Sequence, residues 1–164
     1  MRPKAAAIAG VFFILISFPY SKADELNNSF PEKCAGTGFE YRGGGIVLNS
    51  DSQNSQSLYL LNNISENEYW ITHQVKNPGA SAGWTSDISP GSWSAFAVNT
   101  PGFDLTCVKE GQGRMETLSC EKVLRVCRIS NPVFKPDTGG SYWVSEDKTL
   151  EAVLAEIKSR GISF

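Results

Sequence analysis

Pro90-Gly91-Ser92-Trp93-Ser94-Ala95-Phe96-Ala97-Val98-Asn99-Thr100-Pro101-Gly102-Phe103-Asp104-Leu105-Thr106-Cys107-Val108 holds two extended runs, each introduced by a Pro-Gly pair. Proline fixes φ at about −65° and the glycine after it accepts positive φ, so each pair marks a type II turn. In the first run, alternation puts Trp93, Ala95 and Ala97 on one face and Phe96 and Val98 on the other. Both faces are apolar. That predicts a strand inside a sheet, with Trp93 buried. Pro78-Gly79 is a third such pair upstream.

The same rhythm runs outward from Gly43 to Ile129. Strands are expected at Ile46–Asn49, Ser57–Asn62, Tyr69–Val75, Gly83–Ser86, Ser92–Val98, Phe103–Val108, Met115–Cys120 and Val123–Ile129. Many short strands between turn signals predict an all-β fold, an antiparallel β-sandwich of Ig-like or Greek-key type. The polar stretch from Asp51 to Ser57 predicts an exposed loop. Only the C-terminal end changes period: Leu150, Val153, Leu154 and Ile157 form one stripe at helical spacing. One C-terminal α-helix is expected at about 147–160, capped by Asp147 or Ser145, with Glu156 and Arg160 paired and a left-handed stop at Gly161. Its apolar stripe would lie against a sheet edge or close one end of the sandwich.

The N-terminus sets the compartment. Arg2 and Lys4 precede an uncharged run from Ala5 to Phe18, and Ser21-Lys22-Ala23 offers a small-x-small cleavage site. Residues 1–23 read as a cleaved signal peptide, leaving one domain over 24–164 in the periplasm or secreted. A run of that length is shorter than the roughly 20 residues a bilayer span needs, so no transmembrane segment is expected in the mature form. Of 15 basic and 17 acidic residues, the signal removes Arg2, Lys4 and Lys22, leaving 12 against 17 and a net charge of −5. The densest basic group, Lys122, Arg125 and Arg128, lies among strand-like residues. That argues against nucleic acid as a partner.

An exported chain with four cysteines, Cys34, Cys107, Cys120 and Cys127, points to two disulfides. Three connectivities are possible. Cys107 with Cys120 is favoured because both flank the turn Glu110-Gly111-Gln112-Gly113, which leaves Cys34 with Cys127. With no CxxC pair and a single histidine, neither a zinc site nor any other metal or cofactor is indicated.

Catalytic constellations are weak. Gly79-Ala80-Ser81-Ala82-Gly83 matches the G-x-S-x-G elbow of serine hydrolases, yet no helix can follow and the only histidine, His73, precedes the serine. Glu66 with Glu68 and Glu146 with Asp147 read as surface or helix-start charges. The aromatics are the stronger signal. Trp70, Trp84, Tyr142 and Trp143 are candidate binding residues, since aromatic side chains anchor protein partners or stack on sugars. Asn27-Asn28-Ser29 and Asn63-Ile64-Ser65 are sequons that a eukaryotic secretory route would glycosylate and a bacterium would ignore.

Val75-Lys76-Asn77-Pro78-Gly79-Ala80-Ser81-Ala82-Gly83-Trp84, Pro90-Gly91-Ser92-Trp93-Ser94-Ala95, Phe103-Asp104-Leu105-Thr106-Cys107 and Gly140-Ser141-Tyr142-Trp143-Val144-Ser145-Glu146-Asp147 together resemble the enhanced entry protein EnhB family of intracellular bacterial pathogens. The likeness covers roughly residues 69–161. It implies an exported virulence protein linked to host-cell entry or intracellular survival, acting beside a large repeat-containing periplasmic protein, and it carries over no active-site residue. The expected function is therefore a non-enzymatic binding or accessory protein of the bacterial cell envelope, with a protein or envelope component as partner. One alternative is a hydrolase of envelope polymers, which needs acids gathered in a cleft near His73 or Ser81. The other is a calcium-binding, crystallin-like β-domain, suggested by Asn62-Asn63-Ile64-Ser65 although Glu66-Asn67 departs from that pattern.

Overall fold

The computed structural model describes residues 30–50, 56–73, 84–111, 114–135 and 142–164. Eleven strands follow in order: β1 (Cys34–Ala35), β2 (Phe39–Arg42), β3 (Gly45–Leu48), β4 (Ser57–Asn63), β5 (Tyr69–His73), β6 (Trp84–Ile88), β7 (Trp93–Val98), β8 (Phe103–Gly111), β9 (Arg114–Leu118), β10 (Leu124–Ile129) and β11 (Tyr142–Lys148). A single helical turn, α1 (Cys120–Val123), precedes β10, and α2 (Leu150–Ser159) ends the chain.

These strands form two antiparallel sheets. One has the order β1-β10-β4-β7-β11, the other β2-β3-β8-β5-β6. β9 pairs with β8 over Cys107–Gly111, beyond the Phe103–Leu105 stretch that pairs with β3, so β9 continues the edge that β3 leaves. Ile46, Leu48, Ile71, Phe103, Leu105 and Cys107 of one sheet share a core with Tyr59, Leu61, Phe96, Val98, Leu124 and Val126 of the other. This is the β-sandwich that the turn rhythm predicts. Gly91 and Gly102 take φ of 74° and 68°, as the second residue of each Pro-Gly turn requires.

β4 and β7 are buried along their whole length because they lie inside the five-stranded sheet and both faces are covered. Tyr59, Leu61, Phe96 and Val98 face the second sheet. Leu58, Leu60, Trp93, Ala95 and Ala97 belong to a separate core with Val153, Ile157 and Ile162. The helix therefore does not close an end of the sandwich. It lies on the outer face of the five-stranded sheet, over β7 and the edge strand β11, because that face is apolar and needs a cover.

The helix is also shorter at its start than the sequence pattern suggests. Thr149 is the N-cap, its Oγ1 accepting from the Ala152 N–H at 3.3 Å, while Ser145 and Asp147 belong to β11. Ser, Glu and Asp before an apolar stripe read as a cap, but pairing of β11 with β7 takes them into a strand. The expected Glu156–Arg160 pair forms at 3.0 Å, and Gly161 follows at φ 78°. β1, β2 and β11 carry no clear period-two apolar pattern in the sequence and are set by their partners.

Both disulfides join the expected cysteines: Cys34 with Cys127, and Cys107 with Cys120. Cys107 lies opposite Leu118 in the β8–β9 hairpin, not opposite Cys120. Cys120 reaches it from α1, and the Cα atoms are 5.4 Å apart.

Tyr59 locks two loops from inside the core. Its buried hydroxyl lies between the Gly38 and Asn49 carbonyl oxygens, the latter at 2.6 Å, and accepts from the Asn49 N–H at 3.2 Å. Burial pushes its pKa up from 10.0 to about 12, against a smaller opposing pull from the Asn49 backbone. A raised pKa means that this contribution is complete below about pH 10 and is lost as pH rises toward 12. Tyr59→Phe is expected to cost about 1–3 kcal/mol at neutral pH by leaving buried partners unpaired. In urea titrations the gap between variant and unmodified protein should narrow from pH 10 to 12. A constant gap would remove the titration argument.

Candidate functional site

The four aromatic candidates fall on three strands. Trp70 is on β5, Trp84 on β6, and Tyr142 and Trp143 are on β11. β6 is the edge of the six-stranded sheet and β11 the edge of the five-stranded sheet. The two edges approach each other across the layers, forming a seam along one side of the sandwich. Backbone pairing places Trp84 opposite His73, Trp70 opposite both Asp87 and Val108, and Trp143 opposite Phe96. Three of the four candidates thus come to one seam and Trp70 lies one strand inward; the four side chains themselves lie outside the described structure.

The two edges differ as templates. β11 departs from regular register with β7 between Trp143 and Ser145 and again between Ser145 and Lys148. Such irregularities bend an edge away from further pairing. β6 keeps continuous register with β5 from Tyr69–Ile88 to His73–Trp84. Of the two, β6 is the better surface for an added strand.

Where β4 turns into β5, a polar knot forms around Asn63. Its Nδ2 donates to the Asn67 and Ile88 carbonyls, both at 2.8 Å, and its Oδ1 accepts from the Ser65 N–H at 2.9 Å and hydroxyl at 2.7 Å. Asn63 is fully buried. Both Nδ2 hydrogens are committed, so a glycan there is incompatible with the folded state, and this sequon is a structural turn. The other, at Asn27, lies outside the described residues. The Asn63 oxygen that a calcium ion would need is likewise taken by Ser65. Asn63→Asp, which sets an acceptor against two carbonyls, is expected to lower stability by about 2–3 kcal/mol in chemical denaturation. An unchanged midpoint would mean that the knot is dispensable.

The same turn borders an open depression of ≈ 320 Å³ lined by Asn63, Ile64, Ser65, Gly91 and Arg125. Arg125, on β10, is half-buried with its guanidinium 5.3 Å from the centre of the Phe30 ring, and Phe30 meets Trp93 edge-on at 5.4 Å. The sequence pattern shows Arg125 only as one of three strand-borne basic residues. Its position opposite Asn62 is set by the β10–β4 register.

The catalytic candidates are described only in part. Glu66 and Glu68 are exposed in the β4–β5 turn, and Glu146 and Asp147 lie on β11 rather than at a helix start. Ser81 and the surrounding Gly79–Gly83 segment lie outside the described residues, as does the side chain of His73. All four cysteines are in disulfides, so no thiolate is available as a nucleophile. Among the described residues no three His, Cys, Asp or Glu side chains group as a metal site would require. No helix among them is long and apolar enough to cross a membrane.

No protein-family model matches this chain, and no curated protein or solved structure matches it significantly.

Proposed function

We propose that this protein is an exported, non-enzymatic binding or accessory protein of a bacterial cell envelope, working in the periplasm or after release. The observation that carries this reading is the seam between β6 and β11, which brings Trp84, Tyr142 and Trp143 onto adjoining edges of a doubly cross-linked sandwich. Disulfides suit an oxidising compartment, and a rigid scaffold with aromatic-bearing edges suits protein recognition by side-chain anchoring or strand addition. The resemblance to the enhanced entry family adds a role in host-cell entry or intracellular survival and a repeat-containing periplasmic partner.

Affinity capture from native envelope extract, with mass-spectrometric identification, tests this reading. The unmodified protein is expected to retain a repeat-containing periplasmic protein that Trp84→Ala and Trp143→Ala retain weakly or not at all. Equal recovery by all three would reject the seam as the contact. Recovery of nothing by the unmodified protein would reject the binding reading itself.

A further inference from the structure

The depression beside Arg125 lies at the end of the sandwich that carries the β4–β5 and β6–β7 turns, among groups that the seam does not use. Its lining is already committed apart from one group. Asn63 spends its amide on Asn67, Ile88 and Ser65, and the Ser65 hydroxyl is engaged with Asn63 and Asn67. Gly91 donates its N–H to the Asn63 carbonyl at 2.9 Å. Arg125 is the exception: among the described residues its guanidinium makes no ion pair and no hydrogen bond, only the cation–π contact with Phe30.

A second open group stands next to it. Asn62 is opposite Arg125 in the β10–β4 ladder and is fully buried; its Nδ2 donates to the Gly91 and Ser92 carbonyls, while its Oδ1 has no partner among the described residues. Buried polar groups are normally satisfied, and a guanidinium carries five donors in a fixed fork. Asn62 Oδ1 is an acceptor outside the lining of the depression and takes no part in holding an anion, which leaves the Arg125 guanidinium as the group open to a ligand.

We infer that Arg125 anchors a binding site for a carboxylate that carries an adjoining aliphatic group. The cation–π contact with Phe30 restricts the side chain, so less freedom is lost when the guanidinium forks a planar carboxylate. Among the described residues, Arg125 is the only charged one in the lining, which balances a monoanion rather than a phosphate dianion. Ile64, 46% exposed on the rim, supplies the apolar contact. The carboxylate could belong to a peptide C-terminus or to a free short-chain acid.

The test is a set of NMR titrations of the ¹⁵N-labelled mature chain with N-acetyl-leucine, isovalerate, N-acetyl-leucinamide and inorganic phosphate. Saturable shifts at Ile64, Ser65 and the Arg125 side chain are expected with a carboxylate and at least about tenfold weaker binding with the neutral amide, the scale of a hydrogen bond to a charged group. Tighter binding of N-acetyl-leucine than of isovalerate assigns the site to peptide ends; equal binding assigns it to free acids. Arg125→Gln should abolish the response, and Arg125→Lys, which keeps the charge without the fork, should weaken it. Equal binding of the amide, equal binding of phosphate, or no saturation by either carboxylate overturns the inference. If Arg125→Gln does not fold, the acid-against-amide comparison on the unmodified chain still decides it. Because Trp84 begins β6 and the depression lies beyond the other end of that strand, Trp84→Ala should leave these titrations unchanged, so failure here and failure of the seam are told apart.

Discussion

Replacing Cys34 and Cys127 together by alanine is expected to lower stability by about 4–5 kcal/mol, against about 3 kcal/mol for the Cys107 and Cys120 pair. The difference follows from loop length: the first bridge spans 93 residues and the second 13, and a longer loop constrains the unfolded chain more. The first bridge also has a local task. β1 meets its sheet through only two residue pairs, Cys34 with Ile129 and Ala35 with Arg128, and it leads back to Phe30, which covers Trp93. A domain of this size is stable by about 5–15 kcal/mol, so loss of the long bridge leaves little margin. Urea unfolding of both double variants, read by far-ultraviolet circular dichroism, measures this directly. Equal losses would show that loop length does not set the contribution here.

Trp93→Ala is expected to cost about 3–5 kcal/mol, the range for deleting a large buried aromatic. Trp93 is 2% exposed in the core beneath α2, with Phe30 edge-on against its ring. The cavity would open where three separate pieces of chain converge: the N-terminal segment, β7 and the helix-bearing C-terminal end. Beyond the stability loss, Phe30 would lose its ring partner and Arg125 the firm base of its cation–π contact. Calorimetric unfolding gives the cost, and limited proteolysis should show earlier cleavage near Phe30. A loss below about 1 kcal/mol would mean that the surrounding side chains collapse into the space.

Local chemistry explains which parts of this architecture were legible. β7 and β8 declare themselves through Pro-Gly turns and apolar alternation, and Trp93 declares its burial because both faces of its strand are apolar. β11 does not, since Ser145-Glu146-Asp147 before a helical stripe satisfies the rules for a helix cap as well as those for a strand. Thr149 wins the cap because β7 offers hydrogen bonds to the residues before it. Asn63 shows the opposite failure. As a sequence it is a glycosylation sequon or a cation ligand, and only the return of Ile88 and Asn67 to its side chain turns it into a turn-forming knot.

The candidate site divides in the same way. Aromatic residues can be picked from composition, but their convergence on one seam depends on which strands end each sheet. That order, β11 at one edge and β6 at the other, comes from pairings between segments far apart in the chain. Arg125 carries no local mark at all, because its environment is assembled by β4, the β6–β7 turn and the N-terminal segment.

The sequence alone determined the sandwich class, the burial of Trp93 and the helical end, because turn geometry and side-chain periodicity act within a few residues of themselves; the Cys107–Cys120 pair was legible from its flanking turn, and Cys34–Cys127, 93 residues apart, followed only as the remaining pair. Tertiary structure alone decided sheet order, the face that α2 covers and the surroundings of Asn63 and Arg125. These depend on register and on which apolar face remains uncovered, and both are settled only when distant segments compete for the same hydrogen bonds and the same buried surface.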